Sequence, residues 1–316
     1  MKTNQFTKKR LAQRRVAILG SILLMMALAL ACGGSSSSYD PLVTTPTFTR
    51  VLPTKTPYIT ATVPSSDILT VTASALQAHT GAIRFLTYKL QGNSIEKVPD
   101  ITTVLQAYNA DVLAIQETNG WNADDFAIVK QMAADLGMEY IYCRGESSLL
   151  DKNGNTYDMV VMSKLEIKSS ETYTDVHNCL VRVEVASPGG QSVQVFATFI
   201  RPEFDKVGCQ NIEKLVGITE PFMQDIAVLM GSMNMPSPGI VMGYPENQIK
   251  CPPMLVDAGW THFTADSQVD QIWGTQALLD NQSYKLPGVS QEPLAPKKLV
   301  RSISEHSPLA VDFYIP

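Results

Sequence analysis

The sequence lacks several motifs that identify common enzyme classes. There is no C-x-x-C pair, which argues against a zinc site with the usual ligand spacing. The glycine-rich loops that bind nucleotide phosphates are absent, as is the G-x-S-x-G turn of serine hydrolases. Only 17% of the 316 residues are charged, whereas 45% are hydrophobic. This balance excludes a chain that is disordered as a whole, and it supports a buried core.

Basic residues are scarce outside the N-terminus. Residues 1–31 contain six of the 25 basic residues and none of the 30 acidic ones, so the remainder carries 19 basic and 30 acidic residues, a net charge of −11. A surface this acidic has no general attraction for nucleic acid phosphates, whose binding depends on basic side chains. The charge therefore argues against a nucleic acid partner.

The N-terminus is typical of a secretory signal. A basic segment, residues 2–15, precedes an apolar stretch of 16 residues from Val16 to Ala31, which is shorter than the roughly 20 residues that span a bilayer. The run ends in Leu-Ala-Leu-Ala before Cys32, Gly-Gly and four serines, which resembles a bacterial lipobox. We therefore predict an extracytoplasmic protein that is lipid-anchored to the bacterial cell membrane through Cys32. A plain signal peptide and an uncleaved membrane anchor are the alternatives.

Three parts of the chain follow from these patterns. Residues 1–31 are the predicted signal peptide, residues 32–79 a tether rich in Ser, Thr and Pro, and residues 80–316 one domain. In that domain short apolar runs alternate with segments of helical spacing, which indicates a mixed α/β sandwich. The predicted strands are Ile83–Tyr88, Asp111–Gln116, Tyr140–Cys143, Met159–Met162, Cys179–Val185, Val193–Phe199, Ile226–Met230, Val269–Trp273 and Leu309–Ile315. The predicted helices are Pro99–Tyr108, Ala123–Leu136 and the first part of Gln210–Gln224.

Seven fragments of this domain carry a family resemblance. In chain order they are Ile83–Lys89, Asn109–Glu117, Tyr157–Ser163, Val195–Phe199, Val228–Asn234, Val269–Trp273 and Ser304–Pro308. Their order and spacing resemble the endonuclease/exonuclease/phosphatase superfamily, the metal-dependent hydrolases related to DNase I and exonuclease III. The resemblance covers residues 83–316 and implies an α+β fold, a four-layer α/β/β/α sandwich with its active site at one end of two packed sheets.

The resemblance also implies roles for particular residues. Glu117 stands at the carboxylate that binds Mg²⁺ or Mn²⁺ in the family, since hard ions prefer oxygen ligands. His306 matches the acid/base histidine, Asp270 the carboxylate that orients it, and Asn234 an asparagine that contacts phosphate. Glu305 replaces the aspartate of the family's S-D-H motif and retains a carboxylate that a metal ion can bind.

Three other positions depart from the family pattern. Lys89 replaces an asparagine, Phe199 a histidine and Ser232 an aspartate. The hypothesis that follows is that the Lys89 ammonium neutralises Glu117 and takes the place of the ion, because two unit charges about 4 Å apart interact by roughly 4 kcal/mol at an effective dielectric of 20.

Two functions compete on this basis. In the first, hydrolysis is weak or lost and the cleft binds a phosphorylated small molecule, a lipid headgroup or a protein. In the second, the protein is an active metal-dependent phosphodiesterase, phosphatase or nuclease with altered active-site chemistry that uses Mg²⁺ or Mn²⁺. If no metal is bound, Lys89 binds an anionic substrate directly, and Asp270 and His306 activate water. A purely structural surface protein is the third possibility.

Four cysteines remain besides Cys32. An even number outside the cytoplasm permits two disulfides with three possible connectivities. We favour Cys143–Cys179 and Cys209–Cys251 among the three.

Overall fold

The computed structural model describes most of the predicted domain. The described residues are 82–90, 95–145, 156–174, 176, 178–200, 209–238, 250–264, 269–281, 288–290 and 294–316. The predicted signal peptide, Cys32, the tether and the domain start at residue 80 lie outside them and stay predictions. Among the described helices, none is both long and apolar enough to cross a membrane.

Two six-stranded sheets form the centre of the described domain. The first sheet has the order β11-β12-β1-β2-β4-β3, and the second has the order β5-β6-β7-β8-β10-β9. The first six strands are β1 (Ile83–Lys89), β2 (Val112–Gln116), β3 (Glu139–Cys143), β4 (Met159–Ser163), β5 (Ile167–Tyr173) and β6 (Cys179–Ala186). The other six are β7 (Ser192–Phe199), β8 (Ala227–Ser232), β9 (Thr261–His262), β10 (Asp270–Gly274), β11 (Gly288–Ser290) and β12 (Leu309–Phe313).

Six α-helices are described. They are α1 (Val98–Tyr108), α2 (Ala123–Leu136), α3 (Gln210–Thr219), α4 (Pro252–Asp257), α5 (Gln276–Asp280) and α6 (Lys297–Ile303). Short 3-10 turns, Ile95–Lys97 and Glu220–Phe222, precede α1 and follow α3. Helix α1 begins with a proline in its first turn, where the missing N–H has no intrahelical partner to lose, and it ends at Asn109 in the left-handed conformation. Helix α2 ends in the same way at Gly137.

The apolar residues form three layers. Alternate residues of the strands pack between the two sheets, as Cys179, Val181, Val183 and Val185 of β6 do. The other face of the first sheet is covered by α1, α2 and α6, and the other face of the second sheet by α3 and α4. This is the predicted α+β, four-layer α/β/β/α sandwich, and the fold class is confirmed.

Several elements were absent from the sequence-based prediction. Strand β5 lies at a sheet edge and is half-buried along most of its length, so its sequence shows no apolar alternation. The strands β9 and β11 and the helices α4, α5 and α6 are too short to show a period. Their positions depend on contacts made by the folded domain.

Both favoured disulfides are present. Cys143 at the end of β3 is bonded to Cys179 at the start of β6, and so this bond joins the two sheets. Cys209 is bonded to Cys251, which joins the segments that begin α3 and α4 behind the second sheet. The predicted connectivity is confirmed.

Candidate functional site

Two rows of side chains face each other at one end of the sandwich. Residues that pair across neighbouring strands point to the same side of a sheet, so the pairing register defines each row. The first row, on the first sheet, is Lys89, Gln116, Met159 and Cys143. The second row, on the second sheet, is Asp270, Ser232, Phe199 and Cys179. We call the space between the two rows the cleft.

The ammonium group of Lys89 is the central charge of the cleft. Its Nζ lies 3.7 Å from Glu117 Oε1, and both side chains are only 12% exposed. Nζ also donates a hydrogen bond of 3.3 Å to Asn234 Oδ1 and lies 4.9 Å from the ring centre of Phe199. A carboxylate, an amide oxygen and an aromatic face therefore surround one cation, and each is a favourable partner for it.

The two polar partners of Lys89 have an uncommon backbone conformation. Glu117 has a φ of 62° and Asn234 a φ of 48°, values that asparagine tolerates and that glutamate rarely adopts. The backbone on both sides of Glu117 is fixed, because Leu90 N donates to Gln116 O and Thr118 N donates to Asp158 O, each at 3.0 Å. Such conformations cost about 1–3 kcal/mol each and are concentrated at functional sites.

His306 and Asp270 form a hydrogen-bonded pair beside Lys89. His306 Nδ1 lies 2.5 Å from Asp270 Oδ2, and the carboxylate is nearly buried. The Ser304 hydroxyl holds the histidine loop: it donates to Lys89 O at 2.9 Å and accepts from His306 N at 3.0 Å. A carboxylate on Nδ1 orients the ring and leaves Nε2 for proton transfer, which is the arrangement of a general base.

Two buried oxygens of the second row have no hydrogen-bond partner within the described part of the chain. They are Ser232 Oγ and Asp270 Oδ1, and their residues pair with each other across β8 and β10. Buried polar atoms of this kind are usually satisfied by water or by a ligand. The second row therefore contains one hydroxyl and one carboxylate oxygen whose hydrogen-bonding capacity is not used within the described residues.

The side chains of the cleft do not fit a divalent metal ion. An oxygen of Glu117, the predicted metal ligand, already lies beside the Lys89 ammonium. Glu305 has an exposed side chain. Within the described ranges, no three or more His, Cys, Asp and Glu side chains lie close enough together to hold an ion. No step of a reaction through a bound metal follows from this arrangement.

Asp158 supports the Glu117 segment and was missed by sequence reasoning. Its buried carboxylate accepts hydrogen bonds from Gly145 N, at 2.8 Å, and from the Tyr142 hydroxyl. Burial, and then the Asp158 charge, raise the pKa of Tyr142 far above its ordinary value, so the hydroxyl keeps its proton and continues to donate. The only sequence signal was the place of Asp158 in the Tyr157–Ser163 fragment, directly before a buried strand.

Comparisons with known proteins agree with this architecture. The model of the Endonuclease/Exonuclease/phosphatase family matches residues 86–287. Similar solved structures include an endonuclease/exonuclease/phosphatase from Beutenbergia cavernae, with 17% identity, a TM-score of 0.57 and coverage of 74% of this chain and 72% of that one. An AP endonuclease from Archaeoglobus fulgidus has 15% identity and a TM-score of 0.54, with coverage of 74% and 100%.

A 3′-5′ exonuclease from Neisseria meningitidis has 15% identity and a TM-score of 0.52, with coverage of 73% of this chain and 99% of that one. No curated protein matches the chain. At these identities the solved structures show a shared fold.

Proposed function

The chain belongs to the endonuclease/exonuclease/phosphatase family, and we propose that its metal-dependent phosphoester hydrolysis is weak or lost while its cleft binds a ligand or partner. The observation that carries the proposal is the Lys89 ammonium, which lies 3.7 Å from Glu117 Oε1. A cation at this place opposes a divalent ion by several kcal/mol, since unit charges about 4 Å apart interact by roughly 4 kcal/mol at an effective dielectric of 20.

The charge of the substituted positions supports an anionic ligand. Relative to the family pattern, Lys89 for asparagine adds one positive charge, and Ser232 for aspartate removes one negative charge. The cleft thereby gains the same charge that one divalent ion would supply. Such a cleft attracts a phosphoryl group without a metal, and the ligand is a phosphorylated small molecule, a lipid headgroup or a phosphorylated or acidic partner protein.

One observation favours the alternative of an active enzyme. The contact of 2.5 Å between His306 Nδ1 and Asp270 Oδ2 leaves a base in place, and a base is what a metal-free attack by water needs. In this alternative Lys89 binds the anionic substrate and His306 takes a proton from water. The two functions differ in whether the wild-type protein turns over a phosphoester.

The place of action that we propose is outside the cytoplasm, at a membrane surface. The N-terminal sequence resembles a lipoprotein signal, and Cys32 is the residue that would carry the lipid. The two disulfides of the described domain are supporting evidence, because such bonds persist in oxidising compartments.

The test is a hydrolysis assay on the full chain purified in detergent. Phosphodiesters and phosphomonoesters are offered with Mg²⁺, Mn²⁺ or Ca²⁺, and a His306→Ala variant serves as the control for any activity. We expect no turnover that depends on His306 in the wild-type protein. We expect a gain of metal-dependent turnover in the double variant Lys89→Asn/Ser232→Asp.

Two outcomes separate the candidate functions. Wild-type turnover that His306→Ala abolishes would overturn the proposal and support the active enzyme. The proposal would be supported if the wild-type protein shows no turnover and binds a phosphorylated probe. Free phosphate should compete with that binding, and Lys89→Asn should weaken it. Comparing a soluble phosphorylated headgroup with vesicles that carry the same headgroup distinguishes a small molecule from a lipid surface.

A further inference from the structure

The Cys143–Cys179 disulfide closes one side of the cleft. Cys143 is the last member of the first row and Cys179 the last member of the second. Phe199, the neighbour of Cys179 in its row, is also the aromatic contact of Lys89. The same bond that joins the sheets therefore lies one strand away from a residue that contacts the central cation.

The two sheets lie closer together at this bond than packed sheets usually do. The Cα atoms of Cys143 and Cys179 are 6.3 Å apart, whereas packed sheets lie about 10 Å apart. A disulfide needs Cα atoms within about 7 Å of each other, so the two sheets must converge at this corner. Loss of the bond removes that requirement.

Most of the described residues of β3 at this corner are only partly buried. Strand β3 is the edge strand of the first sheet, and four of its five residues are only half-buried. Cys143 is its one fully buried residue. Ile141 of β3 also packs against the apolar residues between the sheets, and the disulfide adds a covalent connection to this half-buried edge strand.

We propose that the Cys143–Cys179 bond is a positioning device for the cleft, which holds the second row at the distance where Lys89 contacts Phe199 and Asn234. The cleft then depends on the oxidised state of the protein. This inference rests on the cleft geometry that also underlies the proposed function, but it requires neither hydrolysis nor a known ligand.

The second disulfide provides a matched control. Cys143 and Cys179 are separated by 36 residues, and Cys209 and Cys251 by 42, so the two bonds restrict the unfolded chain to a similar extent. Cys209 and Cys251 pack in the apolar layer behind the second sheet and belong to neither row. Removing either bond should lower global stability similarly, and only one removal should alter the cleft.

The experiment compares full chains with Cys143→Ala/Cys179→Val or Cys209→Ala/Cys251→Val. Acylation of Lys89 by an amine-reactive reagent is followed by peptide mass spectrometry, together with amide exchange at residues 197–200 and 230–234. Without the first bond, we expect both rates to rise about tenfold or more, as local opening becomes easier. Without the second bond, we expect both rates to match the wild-type protein.

Three results would overturn the proposal. The first is unchanged Lys89 acylation in the Cys143→Ala/Cys179→Val protein. The second is an equal rise in both variants, which would indicate global destabilisation. In the third, neither this variant nor Cys143→Ser/Cys179→Ser folds, although the Cys209→Ala/Cys251→Val control does. That result would show that the bond is required for folding. This test measures the reactivity of Lys89 and requires no ligand or turnover. Its result can therefore be interpreted even if the proposed function is wrong.

Discussion

Lys89 stands at the end of a strand whose other inward-facing side chains, Ile83, Phe85 and Thr87, are buried. A lysine at such a place needs a partner, since burial disfavours its charge, and Glu117 provides one. The pair was predicted from the family resemblance, and both residues directly follow predicted strands. The sequence contains no signal for the contacts with Asn234 and Phe199, which depend on left-handed backbone and on how far apart the two sheets lie.

A single hydroxyl, that of Ser304, connects Lys89 and His306. We expect Ser304→Ala to lower the free energy of unfolding by about 1–3 kcal/mol, because the Lys89 carbonyl and the His306 N–H both lose their partner. Urea unfolding measures the change. Ser302→Ala is the control, since the exposed Ser302 hydroxyl bonds only to the backbone of its own helix. Equal effects of the two substitutions would contradict this role.

Buried tyrosines make the domain sensitive to alkaline pH. Burial raises the pKa of Tyr108 to about 12 from its ordinary value of 10.0. The folded state therefore holds this proton more tightly than the unfolded state, so stability is constant below pH 10 and falls as the pH rises toward 12. The loss from one such group is at most about 1.4 kcal/mol per pH unit.

We expect Tyr108→Phe to reduce this alkaline loss, because phenylalanine has no proton to release. The measurement is the free energy of unfolding at several pH values from 8 to about 12. Burial also raises the pKa values of Tyr88 and Tyr142. Part of the decrease in the free energy of unfolding with pH should therefore remain in the variant. An unchanged slope in the variant would show that Tyr108 does not contribute.

The helices and strands that were predicted correctly are those with a clear periodic pattern of apolar residues. Helix α2 was predicted with its observed bounds, Ala123–Leu136, and its end at Gly137 follows from the glycine there. Asp124, Asp125 and Phe126 near its start have positive φ values, so the regular part of the helix begins after them. Strand β10 begins at Asp270, one residue after the predicted start. Strand β5 and the short helices lacked a pattern, since half-exposed or short elements have no apolar period.

Gly231 has no side chain, and this allows the backbones of β7 and β8 to approach each other closely. Its φ is 146°, and a Cβ at this position would meet Thr198 O of the neighbouring strand at 1.9 Å. We expect Gly231→Ala to destabilise the protein by several kcal/mol, about 3 or more, since backbone on both β7 and β8 must move. Thermal unfolding measures the effect.

Gly217 is the matched control for that substitution. It lies within α3, and a Cβ there would meet nothing within 4 Å. Gly217→Ala should therefore be neutral or stabilising by about 0.5–1 kcal/mol, the usual helix preference for alanine. Similar unfolding temperatures for the two variants would refute the close approach at Gly231.

For the whole molecule, the four-layer sandwich was predicted from the family resemblance of the quoted fragments, whereas the apolar pattern alone indicated only a mixed α/β sandwich. Four residues of these fragments lie in the two rows of the cleft, each at the end of a strand: Lys89, Phe199, Ser232 and Asp270. The sequence could not predict that the cysteines complete both rows, since that requires the pairing register. Nor could it predict Ser304 or Asp158 as supports, because their roles consist of bonds to distant backbone.

We propose that the Lys89 ammonium takes the place of the metal ion. Titration calorimetry with Mn²⁺ and Mg²⁺ tests it most directly on the wild-type full chain, Lys89→Asn and the double variant Lys89→Asn/Glu117→Ala. We expect weak or no metal binding by the wild-type protein, binding at least about tenfold tighter by Lys89→Asn, and loss of that gain in the double variant. Tight binding by the wild type, at a site that Glu117→Ala removes, would contradict it.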